Sequence, residues 1–208
     1  MKWFVAVSGN IGSGKSTITT LLSEKLGWRP YYEIVEENPY LPDFYREMPR
    51  WSFPLQVFFL SKRFQHHRQI LEAPGSVIQD RTIYEDAEIF ARNLYLQGLM
   101  DERDYRTYYE LFTTMVGLLR PPDLIIYLKA SIPTLLERIR RRGRDYEQGI
   151  RPEYLAQLDE RYREWTGRFT LCPVLTVDAD RLDLHNLDAL VMAMRSALPT
   201  LFPLSERA

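Results

Sequence analysis

With 208 residues, 45 % hydrophobic and 26 % charged, the chain has the composition of one soluble globular domain with a substantial core. Its 27 basic against 28 acidic side chains leave a net charge of −1, which excludes a global field for nucleic acid or an anionic membrane. A single cysteine, Cys172, excludes an intrachain disulfide, fits the reducing cytoplasm, and reads as a small buried hydrophobe rather than a nucleophile. The opening apolar run is too short for a signal peptide, and no run reaches the length of a membrane span.

The first expected strand, 3–7, is Trp3-Phe4-Val5-Ala6-Val7, and it feeds Gly9-Asn10-Ile11-Gly12-Ser13-Gly14-Lys15-Ser16. This is a complete G-x-x-x-x-G-K-[ST] phosphate loop (residues 9–16) in its proper setting, a buried strand leading into a helix over 15–26. Glycines let the backbone curl round phosphates with successive N–H groups pointing inward. Lys15 reaches the β and γ phosphates, Ser16 offers a hydroxyl to Mg²⁺, and the helix opening near Thr17 turns its positive end to the anion. The chain binds a nucleoside triphosphate.

A second strand is expected at 32–35, running into Glu33-Ile34-Val35-Glu36-Glu37-Asn38-Pro39-Tyr40. Three carboxylates at the mouth of a triphosphate site are unusual, because the triphosphate repels each of them. One of Glu33, Glu36 and Glu37 suits a general base for an attacking hydroxyl, and the spacing does not say which. A helix over 53–71 leads to a third strand, 76–79, which ends in Asp80-Arg81-Thr82. A carboxylate facing the phosphate loop suits a grip on Mg²⁺, and the adjoining arginine can stabilise charge on a transferring phosphoryl group. The D-x-x-G and N-K-x-D signatures of a GTPase are absent.

Helices over 84–96 and 103–119 come next; Pro121-Pro122 stops the second before a fourth strand, 124–128. A helix over 132–141, with Pro133 in its first turn, runs into Glu137-Arg138-Ile139-Arg140-Arg141-Arg142-Gly143-Arg144. Arg138 and Arg142 lie i, i+4 on one face, and Arg144 follows a flexible glycine, which suits a lid (about 138–150) closing guanidinium groups over a triphosphate. A helix over 152–166, a strand over 174–177 and a helix over 186–198 complete the chain. His66, His67 and His185 form no ligand cluster and read as surface histidines. Apolar runs alternating with amphipathic segments predict one α/β domain, 1–208, with a five-stranded parallel sheet, helices on both faces and ligands at the strand C-terminal ends.

In this order the motifs resemble the deoxynucleoside kinases, most closely the bacterial deoxyadenosine/deoxyguanosine kinase branch. The resemblance runs through Gly9–Ser16, Glu33 to Leu41, Trp51 to Arg63, Asp80-Arg81-Thr82, and Arg142-Gly143-Arg144 to Ile150. It implies a phosphate-loop kinase fold with an arginine-rich lid, ATP as donor, Mg²⁺, and phosphorylation of the 5′-hydroxyl of deoxyadenosine, deoxyguanosine or deoxycytidine in salvage. It implies Glu33 as the general base, although many members have proline where this chain has Ile34. By the same resemblance Gln56, Arg63 and Asp86 read the base, Trp51 and Phe90 flank it, and Tyr45 with Glu147 meets the sugar 3′-hydroxyl. Arg81, Arg138, Arg142 and Arg144 neutralise the transition state, Ser16 and Asp80 hold the metal, and donor-base contacts fall near Asp178-Ala179-Asp180. A homodimer through the helices over 84–96 and 103–119 is a further implication. The rival readings are a nucleoside monophosphate or other small-metabolite kinase, which would need an arginine cluster for an acceptor phosphate, and a nucleotide sensor without turnover.

Overall fold

The computed structural model describes residues 2–33 and 38–198. Its sheet has five strands in the order β2-β3-β1-β4-β5: β1 (Phe4–Gly9), β2 (Arg29–Tyr31), β3 (Val77–Asp80), β4 (Leu124–Lys129) and β5 (Val174–Asp178). All four pairings are parallel. From central β1 the chain steps out to β2, returns to β3, then crosses β1 to reach β4 and β5. That path leaves the phosphate loop at the middle of the sheet's C-terminal edge, where ligands of such sheets sit.

Alternation along the central strands shows both faces covered. Phe4 and Ala6 of β1 and Ile125 and Tyr127 of β4 pack in one layer. Val5, Val7, Leu124, Ile126 and Leu128 pack in the other. The first layer is closed by α2 (Leu41–Arg46), α3 (Met48–Glu72), α6 (Glu102–Val116) and α8 (Pro152–Arg168). Between α3 and α6 lie α4 (Ile83–Glu85), a π-helical turn Asp86–Ala91 and α5 (Arg92–Leu96). The second layer is closed by α1 (Lys15–Leu26), α7 (Ile132–Arg142) and α9 (Asp188–Ala197). Among the described residues no helix is long and apolar enough to cross a membrane.

Strong periodicity located most elements, and α1 has the expected bounds. The second strand lies earlier than expected, at Arg29–Tyr31 instead of 32–35. It is a three-residue edge strand whose first residue is exposed, so it has no buried apolar run to mark it. Ile34, Val35, Glu36 and Glu37 fall outside the described residues. The helix expected at 53 begins at Met48 and carries Pro54 inside it. Proline there forfeits one ladder bond, and the packing of Leu55 and Leu60 in the core holds the helix through it. Two short pieces carried no periodic signal, α2 and the 3₁₀ turn Asp145–Glu147.

The phosphate loop needs its glycines for space as well as for conformation. A Cβ on Gly9 (φ 150°) would stand 2.8 Å from Leu128 O, and one on Gly12 (φ 81°) 2.8 Å from Leu135 O. Both obstacles are backbone, of β4 and α7, and cannot turn aside.

His67 corrects the surface assignment of the histidines, since it is fully buried. Its ring meets Phe4 edge-on at 5.0 Å, and Nε2 lies 2.8 Å from Arg120 O. The ring is therefore neutral with its proton on Nε2, and buried Nδ1 has no partner. Burial pushes the imidazole down from 6.5 to about 4, with the Arg120 carbonyl opposing in part. Because the folded value is the lower one, the unfolded chain takes up the proton first. This contribution is complete above about pH 6.5 and is lost as pH falls toward 4, roughly 3 kcal/mol in all. Urea unfolding of wild type and His67→Gln from pH 7.5 to 4.5 checks it: the stability gap should narrow with acidification. Parallel curves would contradict the buried neutral ring.

Candidate active site

One cavity of about 710 Å³ runs along the C-terminal edge of the sheet, from the phosphate loop at one end to Gln56, Asp86 and Phe90 at the other. At the loop end, α1 begins after Gly14 (φ 98°) with no side chain capping it, so its first N–H groups face the cavity without a competitor. Lys15 is buried and donates Nζ to Asn10 O at 2.9 Å. Burial, with Arg81 nearby, lowers its ammonium to about 8 against the pull of Asp80, Glu33 and Glu85. An arriving polyphosphate would reverse that penalty.

Ser16 donates its hydroxyl to Asp80 Oδ2 at 2.5 Å, so α1 and the end of β3 meet. Asp80 is buried, and its other oxygen, Oδ1, has no hydrogen-bond partner. Burial raises this carboxyl, and Glu33 adds to the effect against Lys15, Ser16 and Arg81. A buried carboxylate with an idle oxygen beside a serine hydroxyl and a phosphate cradle is a donor set that fits Mg²⁺.

At the centre stands a buried ion cluster. Arg63, from α3, donates Nη2 to Glu33 Oε1 at 2.7 Å and Nε to Asp86 Oδ2 at 3.1 Å, and its Nη1 reaches Asp80 O at 3.3 Å. Arg81 Nε lies 2.9 Å from the same Glu33 oxygen, and its guanidinium sits 4.4 Å from the Phe90 ring centre. Burial alone would raise Glu33, but Arg81, Arg63 and Lys15 outweigh it and hold the carboxyl near 2. Asp86 goes the other way: burial lifts it to about 6 in spite of Arg63. Two carboxylates share one arginine, and the one with the second guanidinium beside it keeps the charge more firmly.

Around the cluster the structure brings together Tyr45, Gln56, Asp86, Phe90 and Glu147, all lining the cavity. Gln56 is buried, with Oε1 unpartnered. The π-helical turn widens the helix where Asp86 and Phe90 both enter the cavity wall. Tyr45 stacks on Tyr146 of the lid at 6.1 Å, and burial raises its hydroxyl well above the usual value. Glu147 is buried and takes Arg142 Nε and Nη2 at 2.9 and 2.6 Å, with Arg144 3.5 Å away.

Three expected residues are arranged differently. Trp51 is not in the cavity wall and packs on Tyr40 at 5.9 Å. Five residues separate it from Gln56, about 140° round the helix, whereas Gln56, Phe59 and Arg63 share a face. Arg138 lines the cavity but bridges Ser13 O and Ala179 O, each at 2.9 Å, a brace between the phosphate loop and the turn after β5. Asp178 lies outside the wall, its carboxylate accepting from Asp180 N, while Ala179, Leu182 and Leu184 line the donor end. Phe44 and Tyr154 also line the cavity; the first sits on the unforeseen α2, the second one turn into α8. Cys172 is half-buried, its thiol pushed to about 12 chiefly by burial, which leaves it inert at neutral pH.

Comparison with known proteins gives the same picture at the level of family. A family model described as deoxynucleoside kinase matches residues 5–194. The deoxyadenosine/deoxycytidine kinase of Bacillus subtilis is 42 % identical over 184 residues, covering 88 % of this chain and 85 % of that one. A deoxyguanosine kinase of Lactobacillus acidophilus is 37 % identical over 194 residues, covering 89 % and 84 %. A structure of deoxyadenosine kinase from M. mycoides with dCMP and dCDP bound superposes with a TM-score of 0.84 at 34 % identity, covering 94 % of this chain and 100 % of that one.

The ion cluster makes a stability prediction. Arg63→Leu leaves Asp86 buried without its cation and Glu33, half-buried, with Arg81 alone, and should cost about 3–5 kcal/mol in denaturant unfolding. Arg63→Leu combined with Asp86→Leu should cost less than the sum of the two single changes, because the second removes a charge that the first has orphaned. Additive losses would mean that the pair is not coupled.

Proposed function

Because this chain belongs to the deoxynucleoside kinase family, we propose that it transfers the terminal phosphoryl group of ATP to the 5′-hydroxyl of deoxynucleosides, in cytoplasmic nucleotide salvage. The carrying observation is the single cavity that joins a phosphate loop to the Glu33–Arg63–Asp86 cluster. Glu33 and Arg81 are on the wall of this cavity, which in our reading takes both donor and acceptor. A pure nucleotide sensor needs no such carboxylate. A monophosphate acceptor fits poorly, since Arg63 and Arg81 are already neutralised by Glu33, Asp86 and Glu85.

The phosphate loop, Gly9 to Ser16 with Thr17, cradles the donor phosphates through its N–H groups, and Lys15 spans them. Ser16 and Asp80 would hold Mg²⁺, which would supply charge neutralisation at the phosphates. Both arginine contacts of Glu33 fall on Oε1, so Oε2 is the oxygen that would take the 5′-hydroxyl. A carboxyl held near 2 is a weak base in the ground state. Its first task is therefore to orient the hydroxyl, and it accepts the proton only late, when the loose transition state has made that proton acidic. In this reading Arg81, with Arg142 and Arg144 of the lid, stabilises the negative charge of the transition state; all three line the cavity. Tyr45 and Glu147 meet the sugar, and Phe90 flanks the base. A homodimer through the helical stretches 84–96 and 103–119, where Leu96, Leu111 and Leu118 are exposed, belongs to the same reading.

For the base, Arg63 already spends Nε and Nη2 on Asp86 and Glu33 and Nη1 on Asp80 O. Little of its fork is left for guanine O6 and N7. Ionised Asp86 only accepts, which favours an exocyclic amine, as on adenine or cytosine. Gln56 can present either end of its amide and adapts to the rest of the edge.

The direct test is ATP with each of the four deoxynucleosides, reading which monophosphate forms. Deoxyadenosine and deoxycytidine should lead, and thymidine should trail by about 10²-fold or more in kcat/KM. Thymidine turned over as well as deoxyadenosine would remove Asp86 from base reading. Glu33→Gln should lower kcat by about 10²-fold with ATP binding nearly intact. The pH profile separates the two carboxylates: kcat/KM for deoxyadenosine should fall below about pH 6 as Asp86 takes a proton, loses its charge and turns one oxygen from acceptor to donor. Glu33, near 2, stays ionised throughout that window. An acid limb unchanged in Asp86→Asn would assign it elsewhere.

A further inference from the structure

Arg81 is the one non-glycine residue with positive φ among those described, at 68°. Left-handed backbone is unfavourable for a side chain of this size and persists only where the surroundings over-determine it. Part of what holds it is plain: its N–H bonds Val7 O at 2.9 Å and its guanidinium lies on Phe90. The rest is a buried knot that the catalytic reading does not use. Tyr162, from α8, accepts Arg81 Nη1 at 3.0 Å, and its hydroxyl stands 2.8 Å from both Gly9 O and Glu85 Oε1. Glu85 has no exposed surface. Its Oε2 takes Thr82 N at 2.8 Å and the Thr82 hydroxyl at 3.2 Å, while Oε1 also faces Gly9 N at 3.3 Å and Arg81 Nη1 at 3.6 Å.

We infer that Tyr162 and Glu85 are positioning residues, which set the Arg81 guanidinium against the first residue of the phosphate loop. The inference rests on the reading that Arg81 acts on the transferring phosphoryl group. The phosphates take their place from the loop that Gly9 opens; Arg81 takes its place from the strand end next door. A single phenolic oxygen touches both, so it fixes the distance between donor cradle and arginine. Glu85 anchors that oxygen and, through the capping box with Thr82, the turn in which Arg81 is strained. Neither Tyr162 nor Glu85 lines the cavity.

Tyr162 can be altered without emptying its site, because its ring stacks on Tyr127 at 5.4 Å and meets Trp165 at 6.4 Å. Tyr162→Phe keeps both contacts and removes only the oxygen. The expected result is a fall in kcat of about 10- to 100-fold, with KM for ATP and nucleoside within about twofold. Glu85→Gln should do the same. The discriminating step is a cycle with Arg81→Met, each variant's folding being checked by denaturant unfolding. If Tyr162 works through Arg81, Tyr162→Phe should change kcat by less than about twofold in the Arg81→Met background.

Unchanged kcat in Tyr162→Phe overturns the inference, as does an equal loss in both backgrounds, which would route the effect through the loop or the fold alone. A Tyr162→Phe protein that does not fold overturns it too if Glu85→Gln folds with normal kcat. Arg81→Met with near-normal kcat fails differently: it removes the underlying role of Arg81 and leaves the family reading standing.

Discussion

Arg63 is the side chain on which the site depends. It is buried beneath the cavity with carboxylates on two sides, Glu33 and Asp86, and the carbonyl of Asp80 on a third. A buried carboxylate such as Asp86 is costly in a low-dielectric interior without a cation, and the buried arginine is costly without its carboxylates. The arginine and its partners therefore depend on one another. It sits where β3 ends and draws in the segment after β2, α3 and the π-helical turn, so the parts of the chain that meet there are fastened by charge as well as by apolar packing.

That arrangement also divides labour between chemically similar groups. Glu33 and Asp86 share one guanidinium, yet Arg81 beside Glu33 drives the first toward 2 while burial lifts the second to about 6. A carboxylate that stays charged under all ordinary conditions is suited to holding a hydroxyl and taking charge late. A carboxylate poised near 6 reports on what faces it. Arg81, closer to Glu33 than to Asp86 in effect, and Lys15 make much of the difference, and Arg81 is itself held in strained backbone by α8 and the capping box. The lid shows a similar economy: Arg142 and Arg144 are both spent on Glu147, so they are kept beside the cavity by a carboxylate that also lines it.

The phosphate loop, α1 and the two-faced β1 and β4 were legible because each has a local cause. Glycines at 9, 12 and 14, a lysine at 15 and a continuous apolar strand specify their conformation within a few residues. Gln56, Arg63 and Asp86 were singled out by the family resemblance rather than by any local pattern, and the structure brings Gln56 and Asp86 to one cavity with Arg63 bonded to Asp86. The short edge strand β2 and the helix α2 were missed, since neither is long enough to show a period. His67 looked like a solvated histidine; only the packing of α3 against β1 and the Arg120 carbonyl makes it a core residue. Trp51 lies outside the cavity wall because helical phase decides which face reaches the cavity, and its place in the helix follows from a start at Met48 rather than at 53.

By itself the sequence determined that this is a doubly covered α/β sheet with a triphosphate cradle, and that an acid and an arginine end the neighbouring strand. Those features depend on residues close together in the chain, where backbone sterics and hydrophobic period act directly. Only the tertiary structure decided which carboxylate is held near 2 and which near 6, that Arg138 braces the loop rather than standing free, and that Tyr162 and Glu85 join the loop to Arg81. Each of these depends on charges and hydrogen bonds between segments far apart in sequence. Desolvation and Coulomb energies vary with distances that no local pattern encodes.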